Sequence, residues 1–60
     1  MKYNELYKKL RKAECFLLHH GARHDLWRNS KNGKETWVGR HGTEEVPKGI
    51  LKSIYQELGL

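Results

Sequence analysis

Cys15 is the only cysteine in a chain of sixty residues, so no intramolecular disulfide can hold the fold together. A domain of this length buries only about 60% of the surface its unfolded chain exposes. Without a staple it must draw its stability from a thin core or from a partner chain. Size alone excludes a large enclosed active site. With 37% hydrophobic and 32% charged residues the chain is too apolar for a disordered tail. No segment approaches the roughly 20 apolar residues of a spanning helix, and MKYNELYKKL lacks the apolar stretch of a secretory signal. The expectation is a cytoplasmic protein with no membrane partner.

The core has to come from patterned elements. Tyr3, Leu6, Tyr7, Leu10 and Ala13 recur at the i, i+3, i+4 spacing of an amphipathic helix. Lys8, Lys9, Arg11 and Lys12 form its solvated basic ridge, with Glu5 spaced to pair with Lys8 or Lys9. The apolar run Cys15-Phe16-Leu17-Leu18 has the length of a strand, and Gly21 marks a turn after His19 and His20. From His24 to Asn29 the chain alternates, with His24, Leu26 and Arg28 on one side and Asp25, Trp27 and Asn29 on the other. Ser30-Lys31-Asn32-Gly33 supplies Asn-Gly turn chemistry into a third strand, Lys34 to Arg40, followed by a polar loop from His41 to Glu45. Pro47 suits the first position of a second helix and Gly59 the residue past its end, with Ile50, Leu51, Ile54, Tyr55 and Leu58 as the apolar stripe.

The predicted fold is therefore α+β, in the order α-β-β-β-α. Two helices cover one face of a three-stranded antiparallel sheet and leave the other face wet, which is the order of the double-stranded-RNA-binding-domain arrangement. Trp27 and Trp37 fall on similar phases of neighbouring strands. They are either a cross-strand core pair or an aromatic platform for a base or a partner.

Twelve Lys and Arg against seven Asp and Glu leave a formal charge of +5, the footprint of a chain that meets polyanions. The excess lies in the first half: residues 1–30 carry seven basic and three acidic side chains, residues 31–60 five and four. No Gly-rich phosphate loop and no nucleophile elbow is present, which removes nucleotide-triphosphate enzymes and serine hydrolases. His19, His20, His24 and His41 raise the question of zinc. With one cysteine and no Cys-x-x-Cys, the expectation is no metal and no cofactor. Cys15, inside an apolar run, reads as a small buried hydrophobe.

What remains is Gly21-Ala22-Arg23-His24, an imidazole just after a tight turn, with Arg23 and Arg28 as basic neighbours. Such a cluster can hold a phosphodiester beside a group that takes or gives a proton near neutral pH. RNA supplies its own nucleophile, the 2′-hydroxyl.

Gly21-x-x-His24 after a short strand resembles the HicA family of toxin ribonucleases. So do Asp25-Leu26-Trp27-Arg28-Asn29, Asn32-Gly33-Lys34, Val38-Gly39-Arg40-His41 and Ile50-x-x-x-Ile54-x-x-x-Leu58-Gly59. The likeness covers nearly the whole chain. It implies one toxin domain over residues 1–60, with a double-stranded-RNA-binding-domain-like fold that cleaves messenger RNA without metal and is neutralised by a HicB-like antitoxin covering His24. The family's catalytic histidine matches His24 and the turn glycine matches Gly21, while His41 matches a common Arg-His pair. Arg23, Arg28, Lys34 and Arg40, with His41, are the candidate RNA contacts, because charge developing on a phosphorane needs cationic donors. Departures from the family pattern are Ala22 in place of a serine, Ala13-Glu14-Cys15-Phe16 in place of a Gly-aromatic pair, and the bulky Trp37. A non-catalytic RNA-binding module on the same basic surface is the alternative reading.

Overall fold

A computed structural model describes all sixty residues. Helix α1 (Tyr3–Lys12) is followed by strands β1 (Cys15–His20), β2 (His24–Asn29) and β3 (Glu35–Gly39) and by helix α2 (Lys48–Glu57). The strands form one antiparallel sheet in the order β1-β2-β3, giving the expected α-β-β-β-α sandwich. No helix is long and apolar enough to cross a membrane.

The periodicities explain what is buried. Tyr3, Leu6 and Leu10 of α1 and Ile54 and Leu58 beside α2's last turn meet Cys15, Trp27 and Val38 from the inner face of the sheet, with Val46 closing one side. Leu6, Leu10 and Leu58 are fully enclosed, each contributing roughly 1.5–3 kcal/mol of apolar transfer. β2 alternates as its sequence requires, with Asp25, Trp27 and Asn29 inward and His24 and Arg28 exposed.

Hydrogen bonds to loops satisfy the helix ends. Tyr3 and Asn4 donate their free first-turn N–H groups to the carbonyls of Glu44 and Gly42 at 3.0 and 2.9 Å. α2 ends in a Schellman turn: Gly59, at φ +71°, donates to the Gln56 carbonyl and Leu60 to that of Tyr55. Asn29 and Asn32 close the same end by donating through Nδ2 to the Leu58 carbonyl, so the β2–β3 loop is fastened to α2.

Several details differ from the sequence reading. Trp27 lies opposite Thr36, and Trp37 opposite Leu26. The two tryptophans therefore point to opposite faces, Trp27 buried and Trp37 half exposed, and they are no cross-strand pair. The four-residue Ser30–Gly33 loop sets this register, closed by the Gly33 N–H on the Asn29 carbonyl. β1 runs on to His20 and carries a bulge between Leu17 and His19, and β3 is one residue shorter at each end than Lys34 to Arg40. Glu5 turns back to accept from the Lys2 N–H at 3.4 Å and makes no ion pair with Lys8 or Lys9. Pro47 occupies the N-cap, just outside α2. Ile50 is left exposed, while Ile54 one turn later is buried.

Candidate active site

The site forms where the end of β1, the start of β2 and the end of β3 meet. The Gly21 N–H donates to the His24 carbonyl at 2.9 Å, closing the turn that presents His24. A Cβ at Gly21 would overlap that carbonyl oxygen and lie 3.0 Å from Trp37 Cζ3, so the turn is this tight only with glycine. Gly21, Ala22, Arg23, His24 and Trp37 line an open depression. Its walls are an imidazole, a guanidinium and an indole face.

Arg40 holds the turn from the other side. Its Nη2 donates to the carbonyl oxygens of Gly21 at 2.8 Å and Ala22 at 2.5 Å, and its Nε stands 3.6 Å from Asp25 Oδ1. Asp25, with a side chain only 8% exposed, also meets His20 Nδ1 at 2.9 Å. A buried carboxylate is costly unless it is paired and hydrogen-bonded, and His20 and Arg40 provide both. Arg40 thus joins β3 to the turn through its donors rather than pointing them all at solvent.

His41 comes to the same place by a different route. Gly39 pairs with His24 across the sheet, and the chain then turns so that the two imidazoles stand 6.5 Å apart, centre to centre, with planes at 90°. His41 Nδ1 lies 3.1 Å from Glu44 Oε2, and the edge of the ring packs on Tyr3 at 5.0 Å. Tyr7, from α1, donates its hydroxyl to the Gly39 carbonyl at 2.5 Å. Burial raises the Tyr7 phenol above its ordinary value, while the nearby His41 and Gly42 backbone groups pull it the other way. The segment carrying His41 is therefore bonded to α1 at both Tyr7 and the helix N-terminus.

The remaining candidates lie elsewhere. Arg28 is on the same face as His24 but four residues along β2, roughly 13 Å away at strand rise, where Glu35 faces it at 3.8 Å. Lys34 sits at the hairpin loop, against Gly59 and the end of α2. The structure gathers His24, Arg23, Arg40 and His41, and leaves Arg28 and Lys34 at the far end of the sheet. The histidines do not converge on a metal-ligating cluster of three or more side chains. Cys15 is buried in the core, where desolvation pushes its thiol up.

Tyr7 and Glu44 are not marked as site residues by the sequence. Asp25 had a legible signal, a carboxylate on the inward phase of an alternating strand. Glu44 had a weaker one, three residues after His41 in a turn.

A family model described as the HicA toxin of bacterial toxin-antitoxin systems matches residues 3–60. No curated protein and no solved structure gives a significant match.

Proposed function

The chain belongs to the HicA toxin family of bacterial toxin–antitoxin systems, and from that premise we propose that it is an endoribonuclease cleaving messenger RNA in the cytoplasm, with His24 as its acid or base. The observation that carries this reading is the setting of His24. The imidazole is exposed at the first residue of a strand, on a turn closed by Gly21 and clamped by Arg40, beside an open depression. A histidine on an ordinary surface turn has no need of a buried carboxylate and a guanidinium that bonds two carbonyls of the turn.

The chemistry requires only what RNA and this surface supply. The 2′-hydroxyl attacks the adjacent phosphorus and the bond to the 5′-oxygen breaks, with an imidazole taking or giving the proton. Arg23 supplies positive charge where the phosphorane develops. Trp37 offers its half-exposed indole to an unstacked base. No metal or organic cofactor has a role in this scheme.

The partner is a HicB-like antitoxin that covers His24. Phe16, Leu18 and Trp37, all more than 40% exposed, support an occupant that buries apolar surface, as a thin-cored toxin requires of a silencing partner.

The test is incubation of the full chain with a long messenger RNA in EDTA, wild type beside His24→Ala, read on a denaturing gel. Fragments in the wild-type lane alone are expected. Cleavage undiminished in a folded His24→Ala variant removes the catalytic assignment. Intact RNA in both lanes with a salt-sensitive gel shift replaces the enzyme by a non-catalytic RNA-binding module.

A further inference from the structure

We propose that His41 is a second catalytic residue, so that His24 and His41 act as a general acid–base pair on opposite sides of one phosphodiester. The inference rests on the ribonuclease reading of His24 and extends it from one histidine to two.

The geometry that carries it is the shared approach to Gly39. A Cβ there would lie 2.6 Å from His41 Cδ2, 2.7 Å from His41 Nε2 and 3.7 Å from His24 Cδ2. Both rings therefore come close to the same bare stretch of backbone. Their centres are 6.5 Å apart, a gap that a phosphate group spans when each nitrogen makes a hydrogen bond of about 2.6–3.2 Å to it.

His41 is oriented for such a role. Its Nδ1 stands 3.1 Å from Glu44 Oε2, which places a carboxylate at that nitrogen and leaves Nε2 as the one free to meet substrate. That Nε2 lies, with Cδ2, on the ring edge beside Gly39. The ring is further held by its contact with Tyr3, and the loop that follows it by the Gly42 and Glu44 carbonyls, which accept from the Asn4 and Tyr3 N–H groups. A histidine that only met phosphate charge needs no packed ring with a carboxylate beside it. The charged and titratable groups on the elements around the pair are Glu44 in the loop, Tyr3 and Tyr7 from α1, Arg40 and the inward Asp25 from the sheet, and Arg23 from the turn.

In the transfer step the neutral imidazole takes the 2′-hydroxyl proton as the 2′-oxygen bonds to phosphorus. The protonated imidazole gives its proton to the departing 5′-oxygen. A 2′,3′-cyclic phosphate and a 5′-hydroxyl result, and the two rings have exchanged protonation states, which solvent water resets. Nothing else is consumed.

The test is the pH profile of cleavage of an RNA oligonucleotide in EDTA by wild type, His24→Ala and His41→Ala. Circular dichroism controls for folding, and each reaction is run with and without free imidazole. The expected wild-type profile of kcat/KM is bell-shaped. His41→Ala loses about 10²- to 10⁴-fold, loses one limb of the bell, and recovers rate with imidazole, which a packing role would not do. If His41→Ala does not fold, His41→Gln, which keeps a polar side chain against Tyr3, is read in the same way. A folded His41 variant with the wild-type rate and both limbs overturns the pair while leaving His24 in place. Absence of cleavage by wild type itself overturns the ribonuclease reading instead.

Discussion

The Arg40 guanidinium donates to the carbonyl oxygen of Gly21 at 2.8 Å, joining the end of β3 to the turn that presents His24. The same side chain reaches Ala22 and stands beside Asp25, so a residue that sequence position alone offers as a phosphate contact is built into the support of the imidazole. Arg40→Ala is expected to cost about 1 kcal/mol of stability, below the usual range for hydrogen bonds to charged groups because the side chain is 42% exposed. Cleavage should fall more than that loss implies, by about tenfold. Arg40→Lys should not restore it, since one ammonium cannot occupy both the Nη2 position at the two carbonyls and the Nε position beside Asp25. Thermal unfolding and initial cleavage rates measured side by side check the claim; an Arg40→Lys variant with full activity sinks it.

Trp37 separates binding from folding. Its indole is 52% exposed on the outer face of the sheet, so Trp37→Ala should change stability by no more than about 0.5 kcal/mol. In a His24→Ala background that leaves RNA intact, the same change should weaken single-stranded RNA binding by about 1–3 kcal/mol, the value of one stacked base. Fluorescence anisotropy with a labelled oligonucleotide measures it, and unchanged affinity rules out the stacking role.

Tyr7 ties stability to alkaline pH. Its phenol titrates higher in the folded chain than the ordinary 10.0 because burial disfavours the phenolate. The stabilisation is thus fully present below pH 10 and is lost as pH rises through the folded value. Tyr7→Phe, which also gives up the bond to the Gly39 carbonyl, should be less stable at neutral pH and show a shallower loss above pH 10. Urea midpoints across pH 8 to 11 decide this; identical slopes for the two proteins would contradict it.

Cys15 reports on opening of the core. The thiol is 3% exposed and burial pushes it up, so a disulfide-exchange reagent should react slowly with native protein and at the free-thiol rate in denaturant. Because the thiolate has to form first, native reactivity should track global stability across the variants above. Rapid native labelling would show that β1 opens locally.

Much of this architecture is legible in the sequence, for definite reasons. The helical stripe from Tyr3 to Leu10 and the alternation from His24 to Asn29 each name the buried face directly, and Pro47 and Gly59 bracket α2. The relation between Trp27 and Trp37 is not legible, because sheet parity depends on the number of residues in the hairpin loop, and a shift of one exchanges the faces. The Leu18 bulge is hidden for the same reason. It adds one residue to β1 and thereby sends His19 to the outer face near Trp37 and His20 to Asp25. At the site, Gly21 and His24 stand close enough in the chain to be read together. His41 does not, since its approach depends on Gly39 passing beneath both rings, and Glu44 acquires meaning only once His41 is placed.

The bare backbone at Gly39 has a genetic consequence. A methyl group there meets the far edge of the His41 ring, and a half-exposed imidazole can swing aside while the sheet stays paired. Alanine at this position should therefore yield an inert protein that still folds and still occupies its antitoxin. Among cells that survive the toxin when the antitoxin is withheld, such full-length, accumulating escape alleles should appear at Gly39, alongside the expected losses of His24 itself.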